Sequence, residues 1–403
     1  MTGSGKPRHV VVAGAGVAGL ETALALRALA EGRVSVELVA PEREFTYRPL
    51  AVAEPFQIGE MRRFPLEPLV RATGAHLRRG TVRTVDPAEQ FVTLADGVQL
   101  SYDVLVLALG ALPREAVPGA LTFRGAEDRT RLEDLLNRAT SGQLRRIVFA
   151  MPEGATWPLP LYELALLTSE YLAAHMTRAV EVVVATPEDR PLALFGPAAS
   201  GALAQLLEIR RVRLETGVSP VAWNDGVLWL AGGGKLEADA AVALPKLVGP
   251  PIAGIPQDGS GFVATDEFGW VLSLTDVYAV GDLTQSSVKQ GGIATQQADS
   301  AASAIAADAG AIVRPAVVKP VLRGLLLTGL APRFIRSETG ARPSLVDTQP
   351  LWWPPAKIVG RYLSPFLAQH LSLAKDYARP PATEAVPVEV ALDTRDYATW
   401  SSV

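Results

Sequence analysis

Apolar residues fall into two kinds of block along this chain. Some are continuous β-branched runs bounded by glycine or charge, the pattern of strands buried on both faces. Others are alanine- and leucine-rich stretches of helical length. HVVVAGAG (9–16) reads as a strand entering a turn, with an alanine-rich helix directly behind it. VSVELVA (34–40) reads as the next strand. Between 80 and 102, GTVRTV, QFVTLA and VQLSY are separated by DPAE and ADG, which are reversal sequences. DVLVLALGALP (103–113) returns to the buried parallel type and ends its run at Gly110. RRIVFAM (145–151), the helix-length segment 152–175 and RAVEVVVATPE (178–188) outline a second strand–helix–strand unit. TDVYAVGD (275–282) predicts a strand over Val277–Val280, followed after a loop by a helix from Gly291 to Ala309. KPVLRGLLLTGLAPRFIR (319–336) predicts an apolar strand or hairpin. In 356–377, Ile358, Val359, Tyr362, Leu363, Phe366, Leu367, His370, Leu371 and Ala374 recur at helical spacing, with Pro365 expected to kink or split the helix.

The first of these strands runs into Gly14-x-Gly16-x-x-Gly19. In a dinucleotide-binding turn the first glycine permits the sharp strand-to-helix reversal. The second lets a pyrophosphate approach the backbone, and the third lets the helix pack closely on the strand. Val17 and Ala18 open the helix, whose free N–H groups and partial positive charge suit phosphate. The bland alternative is a tight turn with no ligand. An acidic residue at the end of the next strand ordinarily binds ribose hydroxyls. Ala40 holds that position here, so Glu42 is the candidate, with Arg43 and Arg48 as cations for phosphate. The closing motif is Gly281-Asp282, an aspartate just past a strand end, where it can accept hydrogen bonds from ribityl hydroxyls. The start of the following helix (Gln290, Gly291, Ile293), with Lys289 if it faces the ring, would stabilise negative charge on a reduced flavin.

The order of these three elements resembles the two-dinucleotide-domain flavoproteins related to pyridine nucleotide-disulfide oxidoreductases. Within them it is most similar to sulfide:quinone oxidoreductase, the flavoprotein of flavocytochrome c sulfide dehydrogenase and type II NADH dehydrogenases. The resemblance covers roughly 8–310. It implies FAD rather than FMN. It places the family's Ala-Thr-Gly on Ala108-Leu109-Gly110, its flavin-side proline loop on Tyr47-Arg48-Pro49, its adenine-contacting strand near Val82 and its closing aspartate on Asp282. The expected architecture is α/β: two Rossmann-like, three-layer dinucleotide-binding domains plus a C-terminal interface region. The bounds are 1–115 with 262–312 for FAD, 116–261 for the inserted domain, and 313–403 for the interface or lid.

The inserted domain departs from its pattern. Where NADH-using relatives carry a second glycine turn, residues 152–160 read PEGATWPLP. Prolines remove backbone donors, Glu153 repels phosphate, and Trp157 fills the space if it points inward. In sulfide:quinone oxidoreductases this loop carries a redox cysteine, but the chain contains no cysteine at all. Persulfide and disulfide chemistry are thereby excluded. The family's glutamate at this helix start falls on Glu163, either a buried acid near the flavin or a carboxylate favoured by the helix dipole. Trp352 and Trp353, in Leu351-Trp352-Trp353-Pro354-Pro355, are an aromatic wall over the flavin or a corner plugging the core.

Bulk composition sets outer bounds. The chain has 403 residues, 48% hydrophobic and 20% charged, with net charge −4, so no nucleic-acid partner is expected. Its four histidines, His9, His76, His175 and His370, form no paired metal motif. Lys6 and Arg8 ahead of an apolar stretch imitate a signal peptide, but that stretch carries the glycine turn and continues as a helix. No run is apolar and long enough to span a membrane. Cytoplasmic location is expected, with peripheral contact at the inner membrane face as an alternative, and a homodimer. The stripe at 358–374 packs on the body or a dimer partner, lies on a membrane within reach of quinone, or caps the substrate pocket. Residues 380–403 form an arm on a neighbouring subunit or are loosely ordered. The leading expectation is an FAD-dependent oxidoreductase passing electrons from a small or protein-borne donor to quinone or another carrier. The alternatives are a type II NADH dehydrogenase-like enzyme and a non-catalytic FAD-binding subunit. No catalytic residue is named.

Overall fold

The computed structural model describes residues 6–177, 179–338, 343–352 and 355–370. Strand β1 (Arg8–Ala13) leads through the glycine turn into helix α1 (Val17–Leu29), then β2 (Val34–Ala40), β3 (His76–Arg79) and β4 (Val104–Leu107). Beyond these come β5 (Leu121–Thr122), β6 (Arg146–Ala150), α2 (Leu159–Ala174), β7 (Glu181–Ala185), β8 (Val212–Glu215) and β9 (Ala240–Ala243). The chain then returns through β10 (Val277–Ala279) and α3 (Gly291–Asp308). It ends in β11 (Val321–Leu326), β12 (Arg333–Glu338), β13 (Leu345–Asp347) and α4 (Leu363–His370).

Two five-stranded parallel sheets result, with orders β10-β4-β1-β2-β3 and β5-β9-β6-β7-β8. Both are Rossmann-like, with strand order reversing at β1 and β6, where ligands bind in such sheets. Their central strands are buried throughout: Val10, Val11 and Val12 in β1, and Ile147, Val148 and Phe149 in β6, are fully covered. The expected strands between 80 and 102 form an antiparallel three-stranded sheet of their own, and Asp86 Oδ1 accepts from the Ala88 and Glu89 amides to make its first reversal.

Helices α1 and α3 pack face to face in the first layer through Ala18, Ala25, Ala294, Ala301 and Ala302, small residues that permit close approach. The C-terminal hairpin β11–β12, with β13, makes an antiparallel sheet. Helical periodicity at 356–377 misleads in one place. Residues 355–362 are not helical, and α4 begins only at Leu363, with Pro365 in its first turn, where its missing donor costs nothing. Ile358 and Val359 are buried by packing an irregular strap on the body. Leu371, Ala374 and the residues after them lie outside the described region.

Candidate functional site

At the first turn, the three glycines have three different reasons. Gly14 has φ +111°, and a Cβ there would lie 2.3 Å from the Ala108 carbonyl oxygen. A Cβ on Gly19 would lie 1.8 Å from the Gly14 carbonyl oxygen. Protein packing alone demands both. Gly16 is different: φ is −79°, and a Cβ would meet nothing within 4 Å. It is also the N-cap of α1, where Ser, Thr or Asp would satisfy orphan amides, yet no side chain caps this helix. An open helix start behind a bare glycine fits a pyrophosphate.

The carboxyl edge of the first sheet gathers the remaining predicted residues. Glu42, Arg43 and Arg48 are exposed beyond β2, and Pro49 follows in a short turn. Val82 lies just past β3, whose Arg79 pairs with Ala40. Ala108, Leu109 and Gly110 continue from β4, and the Ala108 amide donates to Ala13 O. Gly281 and Asp282 leave β10, with the Gly281 amide donating to Gln297 Oε1 at 2.7 Å. Among the described residues none donates a hydrogen bond to the Asp282 carboxylate. Burial holds that group above the usual range, with the Lys289 ammonium and the Arg48 guanidinium pulling it back. A partly enclosed carboxylate without protein donors is a fitting acceptor for sugar-alcohol hydroxyls.

Residues before α3 are committed to the protein itself. Lys289 Nζ donates to Thr284 O and lies 3.7 Å from the Phe262 ring centroid, so its ammonium braces the 281–290 loop. Burial lowers it to about 8, against the opposing pull of Asp282 and Asp258. Gln290 caps α3 by accepting from the Ile293 amide and also donates to Arg323 O. Gly291 leaves room for Ile358, whose Cγ1 would be 2.8 Å from a Cβ there.

The central ionic feature was only half legible beforehand. Glu163, in the second turn of α2, is 1% exposed, and both its oxygens accept from Lys357 Nζ at 2.6 and 2.7 Å. Its Oε1 also accepts from the Leu327 amide, and Lys357 reaches Pro49 O at 3.2 Å. The pair therefore ties the inserted layer, the hairpin, the strap and the Tyr47–Pro49 loop to one point. Burial pushes the Glu163 carboxyl up and the Lys357 ammonium down, while their contact opposes both shifts. Their proton affinities are brought together, as proton transfer requires. Lys357, one residue ahead of the helically spaced Ile358, belongs to no sequence motif.

At the second sheet the equivalent crevice is filled. Trp157 points inward and packs on Phe195, with centroids 5.7 Å apart. Tyr162 is fully buried and donates to Glu188 at 2.5 Å, occupying the acid just beyond β7. The hairpin closes over the helix start: a Cβ on Gly324 would lie 2.9 Å from Phe195 Cζ and 3.6 Å from Leu159 Cδ1. Ser344 Oγ accepts from the Ala199 amide, in the first turn of helix 197–209. Trp352 is buried, meets Phe334 edge-on at 5.1 Å and donates to Ala356 O, so it plugs the core rather than presenting a free aromatic wall. Trp353 lies outside the described residues.

Comparison with known proteins agrees with this architecture. Residues 7–149 match the pyridine nucleotide-disulphide oxidoreductase family. A probable ferredoxin reductase of Castellaniella defragrans is 34% identical over 118 residues, 28% of each chain. The chain thus spans about a third of the length of the ferredoxin reductases it matches, 28% and 33%. An oxidoreductase of Pestalotiopsis fici is 27% identical over 307 residues, covering 70% of this chain and 78% of its own. The structure of sulfide:quinone oxidoreductase from Aquifex aeolicus superposes with a TM-score of 0.77 at 19% identity, covering 84% of this chain and 86% of that one. At such identity the likeness is one of fold.

Proposed function

We propose that this pyridine nucleotide-disulphide oxidoreductase-like flavoprotein, whose cofactor is FAD, is an electron-transferring oxidoreductase that does not take its electrons from NAD(P)H. One observation carries this: the first nucleotide turn is open and built around a glycine that packing does not require, whereas the second is filled by Trp157, Tyr162, Phe195 and the C-terminal hairpin. The proposed FAD-holding parts are 1–115 and 262–312. Gly16 with the amides of Val17, Ala18 and Gly19 would face the pyrophosphate, Glu42 the ribose, Val82 the adenine and Asp282 the ribityl hydroxyls. Bound there, FAD supplies a ring that accepts and releases two electrons.

The chain's own residues supply protons and shape. Glu163 Oε1 or Lys357 Nζ holds a proton next to the Pro49 loop, in a pair buried from water. A two-electron acceptor such as a quinone takes up protons as it is reduced, and this pair can deliver one. Relatives named as ferredoxin reductases and as a sulfide:quinone oxidoreductase support a quinone or a small electron-carrier protein as the acceptor. The donor is a small or protein-borne reductant oxidised without cysteine. No helix of the described residues is long and apolar enough to cross a membrane. Equilibrium dialysis of the apoprotein tests the proposal. One FAD retained per chain, with no retention of NADH, is expected; NADH retained alongside FAD would overturn it.

A further inference from the structure

Residues 355–362 form neither helix nor strand, so the strap at 357–363 takes its shape from the groups its backbone is bonded to. Most of these are side chains of the first layer. Tyr47 Oη accepts from the Ile358 amide at 3.1 Å, and Thr295 Oγ1 donates to Val359 O at 2.5 Å. The Tyr362 amide donates to Glu21 Oε1 at 2.9 Å, and the Leu363 amide to Glu21 Oε2 at 2.6 Å. Glu21 is fully buried on α1 and caps the start of α4 with both of its oxygens. One local bond, from the Gly360 amide to Ser364 Oγ at 2.8 Å, completes the set. A Cβ on Gly360 would lie 2.9 Å from Glu21 Oε2 and 3.1 Å from Thr295 Cγ2, so the strap lies flush against α1 and α3.

The anchors belong to the elements proposed above to hold FAD. Tyr47 opens the Tyr47–Pro49 loop, and Lys357 Nζ ties that loop a second time through Pro49 O at 3.2 Å. Thr295 lies early in α3, and Ile358 covers the first residue of that helix: a Cβ on Gly291 would lie 2.8 Å from Ile358 Cγ1. Glu21 follows Gly19 on α1. The strap therefore bridges α1, the 47–49 loop and the start of α3, which are far apart in the chain. A ligand that orders the loop and the helix start favours the docked strap. The docked strap favours that ligand to the same extent, because coupling between two binding events is reciprocal.

We propose that the strap is the latch of the FAD site, and that Glu21 is the residue that positions it. Docked, the strap gives the 47–49 loop and the start of α3 a shared partner. Undocked, the two segments lose that partner, and FAD is held less tightly. The fastening stands on the contacts above; its link to FAD rests on the placement of the cofactor proposed in the preceding section. Tyr47 and Thr295 sit on elements that would meet FAD. Glu21 and Gly360 act on the strap itself, so substitutions there test the latch without touching the cofactor.

Hydrogen exchange read by mass spectrometry on the full wild-type chain, with and without saturating FAD, tests this. Without FAD, exchange over 358–363 should be faster than over β7, because the strap opens alone. FAD should slow exchange of the strap roughly fivefold or more. Strap exchange unchanged by FAD overturns the inference, as does a strap that opens only together with β7; neither result needs a variant to fold. Glu21→Gln, with one acceptor oxygen in place of two, and Gly360→Ala should each fill with FAD at saturation. Each should then release it on dilution roughly fivefold faster or more than the wild type, read by the rise in flavin fluorescence. A merely structural role for Glu21 would lower the urea midpoint and leave the release rate unchanged, and that result also overturns the inference. FAD retained over a strap that ignores it defeats the latch alone, whereas no FAD retained defeats the proposed cofactor placement with it.

Discussion

Separating Glu163 from Lys357 is the most demanding perturbation of the core of this molecule. The side chains are 1% and 7% exposed and the ion pair is 2.6 Å long, so neither charge can turn to water when its partner is lost. Glu163→Gln leaves the ammonium without a counter-charge, facing only neutral acceptors (the new amide oxygen and the Pro49 carbonyl), and Lys357→Met leaves the carboxylate with only the Leu327 amide. Each single change should cost about 3–5 kcal/mol, the range for stranding one member of a buried pair. The double variant removes both charges together and should cost about 1–2 kcal/mol, mostly from imperfect packing and the weakened bond to Leu327. A coupling energy of at least about 3 kcal/mol follows. The assay is urea unfolding of the FAD-loaded protein, followed by tryptophan fluorescence and flavin release in parallel. Single variants costing less than about 1 kcal/mol, or an additive double variant, would refute the assignment of this pair as a desolvated clamp.

Other consequences follow from the same geometry. Gly14→Ala should destabilise the apoprotein itself, since its Cβ would lie 2.3 Å from Ala108 O at φ +111°, whereas Gly16→Ala should leave apoprotein melting unchanged and weaken FAD retention roughly tenfold or more. Gly360→Ala should cost about 1–3 kcal/mol by pressing on Glu21 and Thr295, while leaving FAD content intact by absorbance. Asp299 has a raised proton affinity only when folded, so stability should decline as pH rises from the carboxylate range through about 7, by a few kcal/mol on the order expected for such a shift. Asp299→Asn should flatten that slope in urea midpoints measured at several pH values.

Much of the scaffold was legible because local pattern and tertiary demand coincide there. Strand 34–40 agrees with expectation residue for residue, and α3 agrees within a residue, since β-branched runs and an alanine-rich stretch admit few alternatives. Gly14, Gly16 and Gly19 were legible as a motif, but only the structure separates the two that packing needs from the one it does not. Lys357 was hidden because its partner is distant in the chain and its segment imitates a helix. Glu21 was hidden for a related reason: a glutamate inside an apolar helix gives no sign that it caps another helix from across the fold. Trp157 was conditional on its direction, which only the contact with Phe195 resolves. Lys289 and Gln290 sit where a flavin-facing role is expected, yet their side chains are engaged with Thr284, Phe262 and Arg323.

The central claim is that one nucleotide turn is kept for FAD while the other is closed to NAD(P)H. Anaerobic rapid mixing of the FAD-loaded protein with NADH, and separately with NADPH, tests it most directly. The visible flavin absorbance should persist with either nucleotide, bleach with dithionite, and return when a soluble quinone is added. Rapid bleaching by NADH, at a rate that saturates with its concentration, would contradict the claim.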